Sequence, residues 1–152
     1  MCRSNKGFPM HKKPHFQVAA GLIRRQGKIL ITKRPAGSHL AGYWEFPGGK
    51  KEEGETLPQC LEREIREELG IGVRAEKFLC KVEHEYDSKS ISLHLYQCSA
   101  PNEEPVPLGC ESVAWVEPKE LDNFLMPPAD EKFISLVKRG EGIHQEEHEA
   151  IN

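Results

Sequence analysis

The stretch Gly49–Ile71, GKKEEGETLPQCLEREIREELGI, decides the fold of this chain. Within it, Glu64, Glu67 and Glu68 stand at i, i+3 and i+4, a spacing that places all three on one side of an α-helix. The neighbouring side of that helix carries an apolar stripe, formed by Leu61, Ile65 and Leu69. The sequence therefore predicts one helix that buries an apolar stripe and presents three carboxylates beside it.

Local signals mark both ends of this helix. Thr56 is a candidate N-cap, and Gln59 stands three residues later, where a capping-box partner is expected. Gly70 follows the last apolar residue, at the position where a left-handed conformation is favoured. Before the helix, the paired glycines Gly48 and Gly49 permit a close backbone approach. A loop carbonyl could therefore join the carboxylates around a metal ion.

The acidic crowding itself allows two interpretations. Like charges at i,i+3 and i,i+4 repel each other by about 0.2–0.5 kcal/mol per pair, so the cluster costs the helix some stability. It is either a solvated helix face or a site for a hard divalent cation, which prefers oxygen ligands. The spacing alone leaves both interpretations open.

The whole stretch resembles the Nudix box, the signature motif of a hydrolase family. The motif reads Gly, five residues, Glu, seven residues, Arg-Glu, an aliphatic residue, any residue, Glu-Glu, any residue, Gly and an aliphatic residue. Every defined position is filled here, by Gly49, Glu55, Arg63, Glu64, Ile65, Glu67, Glu68, Gly70 and Ile71. The resemblance implies the Nudix fold, an α+β architecture in which a mixed β-sheet lies between helices as an α/β/α sandwich.

The resemblance also implies a metal site and its ligands. The expected cofactor is Mg²⁺, with Mn²⁺ as a substitute, because a divalent cation neutralises a diphosphate and helps to position water. The implied ligands are the carbonyl of Gly48 and the carboxylates of Glu64, Glu67 and Glu68. Arg63 and Glu55 are expected to orient these ligands, and the simpler alternative for them is a surface ion pair.

A further acid from a later loop is expected in this family. Glu111 is the candidate here, although the usual position, six residues before Trp115, is occupied by Gly109. Clustered carboxylates raise one another's pKa, which could suit one of them to act as a general base. The identity of that base stays open.

Motifs upstream of the box resemble the MutT branch of the family. The run from Thr32 to Lys50, TKRPAGSHLAGYWEFPGGK, is similar to the corresponding run of bacterial nucleoside-triphosphate pyrophosphohydrolases. Arg34 and Lys50 are then expected to contact phosphate oxygens. Phe46 and Gly49 are expected to contact the substrate as well.

Downstream, residues 127–131, PPADE, resemble a Pro-Pro-Ala-Asn-Glu motif whose Asn recognises the base of 8-oxo-dGTP. Asp130 replaces that Asn, and an ionised carboxylate only accepts hydrogen bonds. An acceptor suits the amino group of cytosine or the N–H groups of an oxidised purine, and the CTP-type relatives carry Asp at this position. The alternative is that Asp130 only favours a helix N-terminus by its charge.

The predicted activity is Mg²⁺-dependent hydrolysis of (deoxy)nucleoside triphosphates to monophosphate and pyrophosphate. Oxidised or noncanonical dNTPs such as 8-oxo-dGTP are the expected substrates, in nucleotide-pool sanitation. One alternative is a CTP or modified-dCTP pyrophosphohydrolase, and an alternative of another class is a noncatalytic nucleotide-binding Nudix module. The patterns of coenzyme A and ADP-ribose hydrolases fit the sequence less well.

The amino-acid composition limits the classes of partner that the chain is expected to bind. The net charge of −3 and the pI near 6.2 argue against a nucleic-acid polymer and favour a small-molecule nucleotide. No apolar run approaches the roughly 20 residues of a membrane span. The five cysteines are dispersed without a CxxC pair, which favours reduced thiols in a cytoplasm. We expect a monomer or homodimer.

The 152 residues are predicted to divide into a mobile leader (1–15), a Nudix domain (16–139) and a polar tail (140–152), and Met10 is an alternative start to Met1. Within the domain, hydrophobic patterning predicts a hairpin turn at Gln26-Gly27. The predicted strands cover 17–23, 28–34, 44–46, 73–86, 90–99 and 113–116, and helices besides the box helix cover 119–124 and 129–138.

Overall fold

The structure is a computed structural model of the chain, and it describes residues 13–139. The predicted polar tail and most of the predicted leader lie outside the described residues. The first strand begins at His15, one residue before the boundary predicted for the domain. No helix among residues 13–139 is long and apolar enough to cross a membrane.

Between residues 13 and 139 the chain forms eight strands, two α-helices and one 3₁₀ helix. In chain order these are β1 His15–Leu22, β2 Arg24–Arg25, β3 Lys28–Lys33, β4 Trp44–Glu45, β5 Gly48–Lys50, α1 Leu57–Leu69, β6 Ala75–Glu85, β7 Ser90–Cys98, β8 Ser112–Val116, the 3₁₀ helix Pro118–Asn123 and α2 Pro128–Arg139. Each predicted strand and helix is found, with ends that differ by up to two residues.

The strands form two four-stranded sheets. The first has the order β5-β1-β7-β6, with β1 parallel to β7 and the other pairs antiparallel. In the second, β3 pairs with β2, β4 and β8, all antiparallel. The predicted turn is present, with positive φ at Gln26 (53°) and Gly27 (79°), as hairpin turns of type I′ require. It joins β2 to β3, however, because the chain leaves the first sheet after β1.

The two α-helices cover different apolar clusters. Alternate residues of β1 face opposite ways, so that Ala19 packs in the cluster with α1 and Ala20 in the cluster with α2. The side chains of Ile65 in α1 and Phe133 in α2 are fully buried. Because burying one such side chain contributes about 1.5–3 kcal/mol, both helices are held firmly on the strands. The predicted α+β sandwich is confirmed.

The caps of α1 form as predicted. The side chain of Thr56 accepts a hydrogen bond from the backbone N–H of Gln59 (3.2 Å), and the side chain of Gln59 accepts one from the N–H of Thr56 (2.9 Å). Gly70 ends the helix with a left-handed φ of 70°, and its N–H donates to the carbonyl of Arg66. Both ends of the acidic helix are therefore fixed by local sequence.

Strand β5 brings the paired glycines beside the middle of β1. Gly48 pairs with Ala20 and Gly49 with Ala19. A Cβ atom on Gly48 would overlap the carbonyl oxygen of Ala19, so that only glycine fits this close approach. The glycine segment is thereby held against the strand on which α1 also packs.

Candidate active site

A cleft of about 220 Å³ opens beside the paired glycines. Its apolar lining comes from β1 and β7, for example from Val18 and Leu93. Of the site residues predicted from sequence, it contains Arg34, Phe46, Gly48, Gly49, Lys50, Glu68 and Asp130. The cleft therefore combines cationic groups, acids and an apolar wall, as a pocket for an anionic ligand with an apolar part requires.

Arg63 joins the other predicted acids into one cluster. Its Nη2 and Nε donate to the two carboxylate oxygens of Glu55 (2.8 and 3.0 Å). Its Nη1 donates to Glu64 (3.0 Å) and Glu67 (3.2 Å), and Nη2 also donates to the carbonyl of Lys50 (3.2 Å). One guanidinium thus fixes three carboxylates of α1 and of the loop that precedes it.

The ion pair between Arg63 and Glu55 is not a solvent-exposed one. The side chain of Glu55 is only 15% exposed. Hydrogen bonds from Arg63, and then one from the backbone N–H of Glu52, lower the pKa of Glu55 to about 2. Because Glu55 is held ionised, it keeps Arg63 in position between the carboxylates.

Glu64 packs directly on the glycine segment. A Cβ on Gly49 would overlap the carboxyl group of Glu64. The carboxylate therefore occupies the space that any other residue at position 49 would need. Besides giving the backbone freedom, the glycine pair therefore makes room for the Glu64 side chain.

Glu68 is the acid of α1 that lines the cleft. Burial, and then the charges of Glu45 and Glu64, raise its pKa to about 8, although Arg34 and the backbone N–H of Gly48 act in the opposite direction. A bound cation would stabilise the ionised form of such a carboxyl group.

The donor set fits a hard divalent cation. Glu64, Glu67 and Glu68 supply carboxylate oxygens, the ligand type that Mg²⁺ and Mn²⁺ prefer. Among residues 13–139, however, no three ligating side chains already converge on one point. Glu64 and Glu67 accept hydrogen bonds from Arg63 instead, so a cation would have to share these carboxylates with the guanidinium.

Arg34 is engaged within the cleft. Its Nη1 donates to both carboxylate oxygens of Glu45 (2.9 and 3.1 Å), and its Nε donates to the carbonyl of His39 (2.6 Å). Burial raises the pKa of Glu45 against the effect of Arg34. A phosphate contact from Arg34, as predicted from sequence, would therefore use only the donors that Glu45 leaves available.

Asp130 lies at the start of α2 and is only 7% exposed. Its Oδ2 accepts a hydrogen bond from the backbone N–H of Phe46 (3.1 Å), so it bridges α2 to the segment after β4. Burial, and then the charge of Glu45, raise its pKa well above the usual range. The neutral acid is thus favoured, and it donates as well as accepts, unlike the ionised acceptor considered from sequence.

Replacing Asp130 by Asn tests this protonation state. Because the folded state holds a proton that the unfolded chain releases above about pH 4, stability should fall as pH rises through the interval between the unfolded and the raised folded pKa. We expect Asp130→Asn to reduce this fall, leaving the part that the raised pKa values of Glu45 and Glu68 contribute, and to increase the free energy of unfolding at pH 7. Urea unfolding from pH 4 to pH 8 with EDTA measures it.

The control is Asp122→Asn, since the side chain of Asp122 is 62% exposed and pairs with Lys138 on the surface. It should leave the pH dependence as in the wild type. A wild-type and an Asp130→Asn curve that run parallel would contradict a neutral Asp130.

Sequence reasoning missed several residues that line the cleft. Lys89 follows the turn between β6 and β7, and burial, then Lys50 and Arg34, lower its pKa. The ring of Tyr86 lies edge-on to His39, with 5.1 Å between the ring centroids. A basic residue in a hairpin carries no motif, and only the tertiary fold brings Lys89 beside Lys50.

Glu111 is not brought into this cleft. Its side chain is 48% exposed and lies 3.9 Å from Lys33 in an ion pair. Gly109, which occupies the position where the resemblance predicts an acid, packs against Glu68 instead. The structure thus places Glu111 on the surface and Gly109 at the carboxylates.

Comparison with known proteins identifies the family. The NUDIX domain family matches residues 18–136. The chain belongs to this family. Nudix hydrolases generally use divalent metal cations, in agreement with the donor set of α1.

Two curated relatives of this Nudix hydrolase carry different substrate names. The 8-oxo-dGTP diphosphatase of Haemophilus influenzae is 40% identical over 123 residues, which are 80% of this chain and 90% of that protein. The CTP pyrophosphohydrolase of Escherichia coli is 36% identical over 125 residues, which are 80% and 93% of the two chains. The chain is thus an enzyme of the Nudix hydrolase family.

A solved structure agrees with this assignment. The MutT NUDIX hydrolase of Burkholderia pseudomallei is 27% identical and superposes with a TM-score of 0.70, covering 81% of this chain and 98% of that chain. At this TM-score and coverage the two chains share the same fold.

Proposed function

We propose that this Nudix hydrolase converts nucleoside triphosphates into nucleoside monophosphates and pyrophosphate with Mg²⁺, and that oxidised or noncanonical dNTPs such as 8-oxo-dGTP are its substrates. The observation that carries this proposal is the position of Glu68. It belongs to the carboxylate helix and also lines the cleft that contains Asp130. One cleft could thus bind both the phosphates and the base of a nucleotide. The enzyme would act on free nucleotides in the cytoplasm, as a monomer or homodimer.

The phosphate side of the cleft is cationic. Lys50, Lys89 and Arg34 all line it and could contact phosphate oxygens. Glu64, Glu67, Glu68 and the carbonyl of Gly48 would hold Mg²⁺, which supplies charge neutralisation and orients the attacking water when bound. Arg63 would keep two of these carboxylates aimed at the site.

On the base side lies Asp130, whose raised pKa favours the neutral carboxyl group, a form that both donates and accepts. Tyr86 lines the same cleft and offers aromatic surface to a base, whereas Phe46, which also lines it, is buried. The donor and acceptor pair of Asp130 can read an edge of an oxidised purine. Cytosine presents an amino donor beside a ring acceptor, so the same pair also supports the alternative, a CTP or modified-dCTP pyrophosphohydrolase.

The alternative of another class is a noncatalytic nucleotide-binding module. Binding alone would not require three carboxylates on one helix, since like charges at this spacing destabilise it. The intact set of Glu64, Glu67 and Glu68, together with the Arg63 network, therefore favours an enzyme.

A nucleotide panel tests the proposal. Pyrophosphate release with Mg²⁺ would be measured on the common dNTPs and NTPs, 8-oxo-dGTP, 5-methyl-dCTP, ADP-ribose and coenzyme A. Preference for 8-oxo-dGTP supports pool sanitation, and preference for cytosine nucleotides supports the alternative. Activity restricted to ADP-ribose or coenzyme A would refute the substrate class. Folded protein that releases nothing would favour the binding module.

The position of attack gives a second expected result. We expect water to form a bond to the β-phosphorus while the bond from that phosphorus to the α–β bridging oxygen breaks. The bridging oxygen then leaves with the monophosphate. In ¹⁸O-labelled water, mass spectrometry should find the label in pyrophosphate. Label in the monophosphate would indicate attack at the α-phosphorus and contradict this prediction.

A further inference from the structure

A segment between β7 and β8 is bound to the C-terminal end of α1. We call residues 103–109, EEPVPLG, the 103–109 arm. The backbone N–H of Val106 donates to the carbonyl of Leu69 (2.9 Å), and those of Leu108 (2.8 Å) and Gly109 (3.0 Å) donate to the carbonyl of Glu68. Three donors of one short segment thus bind the last two residues of the acidic helix.

Helix ends need such donors. The last four carbonyl groups of an α-helix have no partner within the helix, and the last turn frays when nothing binds them. Glu67 and Glu68 lie in this last turn. Two of the three carboxylates of the site therefore stand on the turn whose carbonyl groups need partners from outside the helix, and the arm supplies such partners.

Polar contacts, rather than apolar packing, hold the arm in place. The side chain of Glu103 accepts a hydrogen bond from the N–H of Gly72 (3.3 Å), and Glu104 forms an ion pair with Arg25 (2.9 Å). The apolar side chains of Val106 and Leu108 are 50% and 63% exposed. An arm that only completed the core would bury these two groups.

Proline residues alternate with the donors of the arm. Pro105 and Pro107 have no N–H and fix φ near −65°, whereas Val106 and Leu108 between and after them supply hydrogen bonds to α1. The sequence restricts the freedom of the arm without removing any donor that it uses. Such a pattern reduces the entropy that ordering the arm costs.

Gly109 contacts Glu68 directly. A Cβ on Gly109 would lie 3.3 Å from both the Cα and the Cγ of Glu68. Any residue other than glycine would therefore displace Glu68 by a few tenths of an ångström. The arm thus touches both the backbone and the side chain of the acid that lines the cleft.

We propose that the 103–109 arm is a positioning element that fixes the Glu68 carboxylate at the cleft, with Gly109 as its positioning residue. The proposal rests on the proposed function, in which Glu68 is a metal ligand. The arm itself contributes backbone hydrogen bonds and a defined surface, and no group that touches the substrate.

The first test compares Gly109→Ala with Gly72→Ala. The control lies at the same helix end, but its new Cβ would meet only the flexible end of the Arg66 side chain. Mn²⁺ binding is measured by electron paramagnetic resonance without nucleotide, together with kcat, KM and Tm. We expect Gly109→Ala to weaken Mn²⁺ binding and lower kcat about tenfold, with KM and Tm near the wild type. Gly72→Ala should behave as the wild type.

Equal Mn²⁺ affinity in Gly109→Ala and the wild type would overturn the proposal, and so would an equal loss in Gly72→Ala. A second comparison does not depend on metal or nucleotide. Leu108→Pro removes one of the two N–H donors to the Glu68 carbonyl, whereas Leu108→Ala keeps both. Amide hydrogen exchange in the last turn of α1 should become about tenfold faster in Leu108→Pro alone. Unchanged exchange would refute the positioning role of the 103–109 arm. Absence of turnover in the wild-type protein would instead refute the proposed function.

Discussion

Replacing Glu67 by Gln is expected to lower kcat by about three orders of magnitude, because a carboxylate bound to a catalytic cation contributes several kcal/mol to the transition state. The fold should change little. The side chain of Glu67 is 60% exposed, and it accepts one hydrogen bond from Arg63 (3.2 Å). Exposed ion pairs contribute only about 0–1 kcal/mol. Steady-state kinetics with Mg²⁺ and urea unfolding with EDTA separate the two effects.

Glu52 provides a matched control for this experiment. Its side chain is 70% exposed and lies 3.9 Å from the same Nη1 atom of Arg63, but it precedes α1 and does not belong to the carboxylate set. Glu52→Gln should therefore keep kcat within about twofold of the wild type, since surface ion pairs of this kind are weak. Full turnover by Glu67→Gln would show that Glu67 is not a ligand of the catalytic metal. Equal losses in both variants would indicate a general effect of charge.

Local rules predicted the acidic helix well. The caps at Thr56 and Gly70 and the stripe around Ile65 depend on residues three to four positions apart, and the structure has them where the pattern predicts. The hairpin turn at Gln26 and Gly27 is equally local. Short-range spacing determines such features because the interacting groups are neighbours in the chain.

The long-range part of the cleft could not be predicted in this way. Asp130 and Phe46 are 84 positions apart, and their hydrogen bond exists only because α2 packs beside the segment after β4. The pKa of Asp130 depends on its burial and on the nearby charge of Glu45. The sequence shows neither the burial nor the proximity. Lys89 enters the cleft for the same reason, through the position of β7 beside β1.

The position of Glu111 shows a different limit. The resemblance placed an acid in the loop before β8, but the chain has Gly109 at the matching position. In the structure Glu111 pairs with Lys33, whereas Gly109 contacts Glu68. A shift of two residues changes which residue faces the carboxylates. Sequence alone could state the departure from the motif but not its consequence for packing.

Substitution by alanine should affect stability at one of the adjacent glycines and activity at the other. A Cβ at position 48 would overlap the carbonyl oxygen of Ala19, a backbone atom of the central strand β1 that cannot move alone. We expect Gly48→Ala to lower the free energy of unfolding by about 3 kcal/mol, as strained or overpacked backbone sites do. Urea unfolding with EDTA measures this loss.

A Cβ at position 49 would overlap the carboxyl group and the Cγ of Glu64, side-chain atoms that can move away by rotation. Gly49→Ala should therefore fold with nearly wild-type stability. Its kcat should fall about 100-fold, because Glu64, the proposed metal ligand, would be displaced by about 1 Å. If Gly49→Ala kept its activity, the Glu64 carboxylate would not need its position on Gly49. If instead both variants lost stability equally, displacement of Glu64 would have no effect separate from unfolding. The glycine pair would then serve only the pairing of β5 with β1.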